Sequence, residues 1–230
     1  PLSCGRAAYT LTGSVSAVTD PPAPLAIQLG IATKPGIERI ARYAGEMARK
    51  RNESRVTLVT KSNALPQIYG FWEEVAGALF AREFPDLSLD RANVDALCYH
   101  LVRKPTAYGV LLCPNMFGDI VSDLLAGLSG GLGMAAGADI GAGLSMFEPV
   151  HGSAPDIAGQ GKANPLAAIL TASLMLDHLG QAEAAAAVED AVERTLSKPG
   201  TEGLPFELGG SASTAEVGRS VIRSLEAERG

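Results

Sequence analysis

The chain has 230 residues, 47% of them apolar, and a net charge of −6 at neutral pH. That length allows one large or two small domains with a sizeable core. The acidic balance and scattered cations argue against a nucleic-acid surface, and the lack of an unbroken apolar run of about eighteen residues argues against a membrane span.

The chain begins at Pro1, and residues 1–22 are rich in Ser, Thr, Gly and Pro without periodicity, which reads as a truncated or altered N-terminal segment. Leu25, Ile27, Leu29 and Ile31 alternate and predict a strand within 24–33. Pro35 opens a helix, in which Ile37, Ile40, Ala41, Ala44, Met47 and Ala48 recur at helical spacing. It ends near the solvated cluster Arg49-Lys50-Arg51. Residues 55–60 are β-branched and read as a buried strand. Residues 69–84 predict a helix with Phe71, Trp72, Val75, Leu79 and Phe80 mostly inward. A short strand at 87–92 then precedes a helix at 94–103.

Residues 108–113 read as a second buried strand, after which Pro114 and Asn115 turn the chain into a helix at 116–128. Gly130, Gly131 and Gly133 break that helix and mark a boundary between two lobes. An irregular Gly- and Pro-rich loop runs over 148–165. Helices at 166–179 and 182–196 follow, the second containing the alanine run 184–187. A last helix at 214–226 is N-capped by Ser213 or Thr214. Strands alternating with helices indicate an α/β fold.

Three places carry candidate chemistry. The loop Glu148-Pro-Val-His151-Gly-Ser-Ala-Pro-Asp156-Ile-Ala-Gly-Gln-Gly-Lys-Ala-Asn164-Pro165 combines one imidazole, small residues, a carboxylate and an amide. Small residues admit a ligand to backbone N–H groups, which can hold a phosphate, and a carboxylate further on can accept a ribose diol. A plain surface loop with an incidental histidine fits as well. Asp119 and Asp123 are four apart on a predicted helix, so their carboxylates share a face that a hard divalent cation would use. A solvated acidic face near a helix N-terminus is the other reading, although Met116, Phe117, Ile120, Val121, Leu124 and Leu125 leave it little exposed surface. Lys61 follows a buried strand, at the end where α/β folds place their chemistry. A lysine partly desolvated beside a metal gives up its proton more readily and can serve as a base; an ordinary loop lysine is the alternative. Asp95 opens a helix, where a first-turn acid is also simply stabilising.

His100 and His178 read as partly buried helix histidines without a second metal ligand, and Trp72 as core. Cys4, Cys98 and Cys113 lack metal-ligand spacing. Cys98 and Cys113 lie among apolar residues and read as reduced thiols of a cytoplasmic protein.

Taken together, Thr60-Lys61-Ser62-Asn63, Val94-Asp95, Asn115-Met-Phe-Gly-Asp119-Ile-Val-Ser-Asp123, the loop from Glu148 to Pro165, and Glu207-Leu-Gly-Gly-Ser-Ala-Ser-Thr-Ala-Glu-Val-Gly218 are informative. In order and separation they resemble the β-decarboxylating dehydrogenases, the family of isopropylmalate, isocitrate, homoisocitrate, tartrate and D-malate dehydrogenases. The resemblance runs from about Ala23 to the C-terminus. It implies an isopropylmalate dehydrogenase-like two-lobed α/β fold lacking its N-terminal strands and helices. Residues 23–129 would form the dimerisation and metal-substrate lobe, and 130–230 the C-terminal part of the cofactor lobe.

The resemblance also implies the roles. Asp95, Asp119 and Asp123 would bind Mg²⁺ or Mn²⁺, with Asp95 and the base Lys61 coming from the partner subunit of a homodimer. His151, Gly152, Ser153 and Ala154 would line the adenosine and pyrophosphate path, and Asn164 would meet the adenine edge. Asp156-Ile157 resembles the NAD-type members, because a 2′-phosphate would be repelled by the carboxylate. The substrate would be a malate-type 2-hydroxy acid: 3-isopropylmalate, D-malate or tartrate. Thr60-Lys61-Ser62-Asn63 with Phe71-Trp72-Glu73-Glu74-Val75 looks more like the tartrate and D-malate branch.

Some features depart from the family. Members carry roughly a hundred more N-terminal residues, including substrate-clamping arginines and a proton-donating tyrosine. Gly5-Arg-Ala-Ala-Tyr9-Thr10 does not match that segment, so Tyr9 is not equated with this tyrosine. Glu207 stands where the family more often has Asp. The 230-residue chain alone is therefore not expected to turn over substrate. A non-catalytic regulatory subunit or an inactive remnant of the same fold is the alternative function.

Overall fold

In the computed structural model, residues 29–197, 200–201 and 203–227 are described. Strand β1 (Arg55–Thr60) is buried at every position after Arg55, as its run of β-branched residues requires of a central strand. It lies between β2 (Ser88–Asn93) and β3 (Val110–Leu112) in a parallel sheet of order β2-β1-β3. The register pairs Thr60 with Asn93 and Leu58 with both Arg91 and Leu112. Strand β3 is shorter than the run at 108–113. A 3-10 turn at Pro105–Ala107 precedes Tyr108, and Pro114, which has no N–H to donate, follows Cys113. Of the strand expected within 24–33, residues 29–33 are described and form none; Leu29 and Ile31 are exposed. Its earlier part, with Cys4 and the segment 1–22, lies outside the described residues.

Helix α1 (Lys34–Lys50) is capped by Thr33, whose hydroxyl accepts from Gly36 N at 3.3 Å. It buries Ile37, Ala41, Ala44, Gly45 and Ala48. Helix α2 (Pro66–Glu83) starts three residues before the expected position, because Pro66 suits a first turn. Its Val75, Leu79 and Phe80 are buried, whereas Phe71 and Trp72 are half-buried. One apolar cluster joins α1, α2 and the sheet through Ile37, Ala41, Val56, Leu58, Leu79 and Phe80. A second joins β1 and α2 to α3 (Val94–Arg103) and α4 (Asn115–Leu128) through Val59, Tyr69, Leu97, Leu101, Phe117 and Val121. Trp72 packs against both clusters, and Tyr69 stacks on Phe117 at 4.9 Å.

Past the glycines at 130–133 comes a hairpin that the sequence does not announce: β4 (Ala136–Asp139) antiparallel to β5 (Met146–Pro149). Glu148 therefore belongs to a strand, and the irregular loop begins after it. Helices α5 (Leu166–His178), α6 (Ala182–Leu196) and α7 (Thr214–Glu226) share a third cluster through Leu166, Ala191, Val192, Val217 and Val221. Ser213 is the N-cap of α7, with Glu216 completing a capping box.

Several smaller expectations change. His100 and His178 are exposed, not partly buried. The cationic end of α1 is solvated but paired: Arg49 with Asp86 and over the Phe84 ring, Lys50 with Asp177. Cys98 and Cys113 are free and half-buried, and burial pushes the Cys113 thiol up to about 12. Among the described residues no helix is long and apolar enough to cross a membrane.

Candidate active site

A parallel sheet gathers the C-terminal ends of its strands on one edge. Lys61 follows β1 there, Asp95 sits in the first turn of the helix after β2, and α4 follows β3. Lys61 Nζ donates to Asp95 Oδ1 at 2.7 Å. The lysine side chain is 24% exposed and the aspartate 66%. The Lys61 ammonium, and then the first-turn N–H groups, hold the Asp95 carboxyl below the usual carboxylate range. The chain thus brings two of the candidate groups together by itself.

Beneath this pair lies Glu73 on α2, which sequence reasoning did not single out as functional. Thr60 Oγ1 donates to Glu73 Oε1 and Arg91 Nη1 to Glu73 Oε2, each at 2.7 Å. A signal was available. Glu73 shares a helix face with Tyr69, Ala76 and Phe80, which are all buried, so a charge there needs partners.

Asp119 and Asp123 project from the outer face of α4, and both are exposed. Met116 and Ile120 are 57% and 51% exposed, so the apolar neighbours do not shield this face; Phe117 and Val121 supply the burial. Asp95 does not join Asp119 and Asp123, and among the described residues no three His, Cys, Asp or Glu side chains cluster to hold a metal. Two hard anionic oxygens at helical spacing suit a divalent cation whose remaining ligands come from elsewhere.

In the loop after β5, His151 to Asp156 are exposed. His151 Nδ1 donates to the Gly152 carbonyl at 2.9 Å, leaving Nε2 to solvent. Among the described residues, the N–H groups of Gly152, Ser153 and Ala154 meet no acceptor. Ala154 sits in the left-handed region with φ 42°, turning the chain into a 3-10 turn at Pro155–Ile157. Asp156 is exposed without an ion-pair partner among the described residues, Ile157 is half-buried, and Gln160 closes the turn by donating to the Asp156 carbonyl at 2.7 Å. Free N–H groups followed by an open carboxylate suit a phosphate and a ribose diol.

Asn164 is placed differently. It is buried, its Oδ1 accepts from Leu166 N at 3.1 Å and its Nδ2 donates to Glu207 Oε2 at 3.0 Å. Glu207 Oε1 also accepts from Gly133 N at 3.2 Å. What Asn164 can offer an adenine edge is its backbone and the second amide hydrogen. Gly131 and Gly133 make this clasp possible, since a Cβ on either would lie 2.2 Å from a Glu207 carboxylate oxygen.

The family model for isocitrate/isopropylmalate dehydrogenase matches residues 12–221. A 3-isopropylmalate dehydrogenase of Clavibacter sepedonicus is 47% identical, over 87% of this chain and 56% of its own length. One from Archaeoglobus fulgidus is 44% identical, over 85% of this chain and 59% of its own length. Among solved structures, an isocitrate dehydrogenase from Methylococcus capsulatus aligns with a TM-score of 0.81 at 40% identity, over 86% of this chain and 58% of that one. A beta-decarboxylating dehydrogenase from Thermococcus kodakarensis gives 0.77 at 38% identity, over 86% and 57%. The chain thus spans somewhat more than half the length of these relatives.

Proposed function

The chain belongs to the isocitrate/isopropylmalate dehydrogenase family, and from that premise we propose that it forms part of an NAD- and divalent-metal-dependent enzyme that oxidatively decarboxylates a malate-type 2-hydroxy acid. The observation that carries this reading is the Lys61–Asp95 contact at the C-terminal edge of the parallel sheet. Lys61 takes the proton from the substrate 2-hydroxyl, directly or through water. Asp119 and Asp123 hold Mg²⁺ or Mn²⁺, together with Asp95 of a second copy. Because Asp95 is tied to Lys61 and stands apart from the α4 carboxylates, a site shared across a homodimer supplies the third ligand. A bound divalent cation provides Lewis acidity toward a hydroxyl and a carboxylate.

Gly152, Ser153 and Ala154 offer N–H groups to the pyrophosphate, beside His151. Asp156, next to Ile157, accepts the ribose diol and disfavours a 2′-phosphate, which selects NAD over NADP. Asn164 stands at the adenine edge. The relatives' names favour 3-isopropylmalate among the malate-type acids, with D-malate and tartrate as the other candidates. The free thiols fit a reducing, cytoplasmic setting.

The test joins this chain to the remaining length of the Clavibacter sepedonicus relative. NADH formation is then followed with Mn²⁺ and each of the three acids. Turnover with one acid is expected, together with a fall of about a hundredfold or more on Lys61→Met, the scale of a lost general base. Turnover that survives Lys61→Met, or equal kcat/KM for NAD and NADP, would overturn the corresponding assignment.

A further inference from the structure

The side chain of Glu73 is 14% exposed on the inner face of α2. A carboxylate so placed is costly unless its lone pairs are filled. They are filled by Thr60 Oγ1 and Arg91 Nη1, both at 2.7 Å. Thr60 Oγ1 in turn accepts from Ser62 N at 3.2 Å, which pins the turn around Lys61. Burial pushes the Glu73 carboxyl up, but the hydrogen bonds from Ser62, Thr60 and Arg91 outweigh it and keep the carboxyl below the usual glutamate range.

The positions of these donors matter. Thr60 is the last residue of β1 and is followed by Lys61. Arg91 lies on β2, four residues before Asp95. The two strands are neighbours in register, Leu58 with Arg91 and Thr60 with Asn93. One carboxylate therefore fastens both strand ends from which the Lys61–Asp95 pair projects.

We propose that Glu73 is the positioning residue of the Lys61–Asp95 pair, bridging Thr60 and Arg91 so that ammonium and carboxylate stay in contact. Its consequence for turnover rests on the catalytic reading of Lys61 given above. Its geometric part does not. Without the bridge, the 60–63 turn relaxes and the Lys61 ammonium leaves Asp95 for solvent. A residue that merely supported the fold would change the reactivity of every lysine together.

The test is competitive acylation of the 230-residue chain at one fixed pH, with Lys61 and Lys34 peptides quantified by mass spectrometry. Glu73→Ala should raise the Lys61-to-Lys34 ratio about fivefold, the equivalent of one net hydrogen bond. Glu73→Gln keeps an acceptor for Thr60 and should give a smaller rise. Asp95→Asn should raise the ratio too, and adding Glu73→Ala to Asp95→Asn should raise it no further, because the pair is already broken. If Glu73→Ala raises all lysines together, that variant has unfolded and Glu73→Gln decides. An unchanged ratio in the folded Glu73 variants, or additive effects in the double variant, would overturn the proposal. If the ratio responds as expected but Lys61→Met leaves turnover of the joined enzyme intact, the catalytic reading falls and the positioning role stands. An unresponsive ratio with turnover abolished by Lys61→Met means the reverse.

Discussion

At the residue scale, the clasp around Glu207 shows how small residues build a site from its surroundings. Gly133 offers its N–H to one carboxylate oxygen and leaves room for the other, which holds Asn164. A methyl group at position 133 would meet Glu207 Oε2 at 2.2 Å and Asn164 Cβ at 2.6 Å. Gly133→Ala is therefore expected to destabilise the chain by about 1–3 kcal/mol, the usual cost of overpacking. The cost should shrink in a Glu207→Ala background, where one of the two clashes is gone; urea denaturation of the four variants measures both. Equal costs in the two backgrounds would place the strain elsewhere. The same residues mark the limit of sequence reading. Lys61 and Asp95 are legible because each lies just after a strand, and strand ends are recognisable from local pattern. The burial of Asn164 is not, because its partner Glu207 is 43 residues away. The exposure of His100 and His178 is not legible either, because apolar neighbours in sequence do not say which face of a helix a residue occupies.

At the element scale, α1 and α2 are joined by shape and by charge. Gly45 allows the approach, since a Cβ there would lie 2.6 Å from the Phe84 ring. Arg42 on α1 grips Glu83 at the end of α2 with two hydrogen bonds, of 2.7 and 2.9 Å, and Arg82 adds a third at 2.8 Å. Hydrogen bonds from Arg42 and then Arg82 lower the Glu83 carboxyl from 4.5 to about 2. A carboxyl lowered on folding contributes stability that is fully present above its unfolded value and is lost as pH falls through its folded value. The α1–α2 link should therefore weaken between pH 4.5 and about 2. Denaturation midpoints measured across that window should fall less steeply for Glu83→Gln than for the parent chain, and identical acid profiles would contradict the assignment. These two helices, like α3, α6 and α7, announce themselves by period and by capping residues such as Ser213. The β4–β5 hairpin does not. Ala136-Gly137-Ala138 carries no β-branched alternation, and its strand character comes from pairing with β5 and packing under α5.

At the scale of the whole molecule, the groups proposed for the chemistry divide into two outward-facing sets. Lys61 and Asp95 form one, and Asp119 and Asp123 on α4 the other. Tyr99 and Val102 on α3, with Met116 and Ile120 on α4, are each more than half exposed. Large side chains in such a stretch suit contact with a second copy of the chain. If each site takes Lys61 and Asp95 from one chain and Asp119 and Asp123 from the other, two inactive variants can repair one another. In the joined enzyme, Lys61→Met and Asp119→Asn should each abolish turnover as homodimers. In a heterodimer of the two, one site carries both defects while the other carries neither. Random pairing after co-refolding makes half the dimers mixed, so about a quarter of the parent turnover should return. Recovery requires that subunits exchange, which the refolding step guarantees and a mixture of the native homodimers does not. If the co-refolded mixture stays inactive while parent enzyme put through the same refolding regains its turnover, the site is built within a single chain, and the shared homodimer site proposed for this family member would have to be given up.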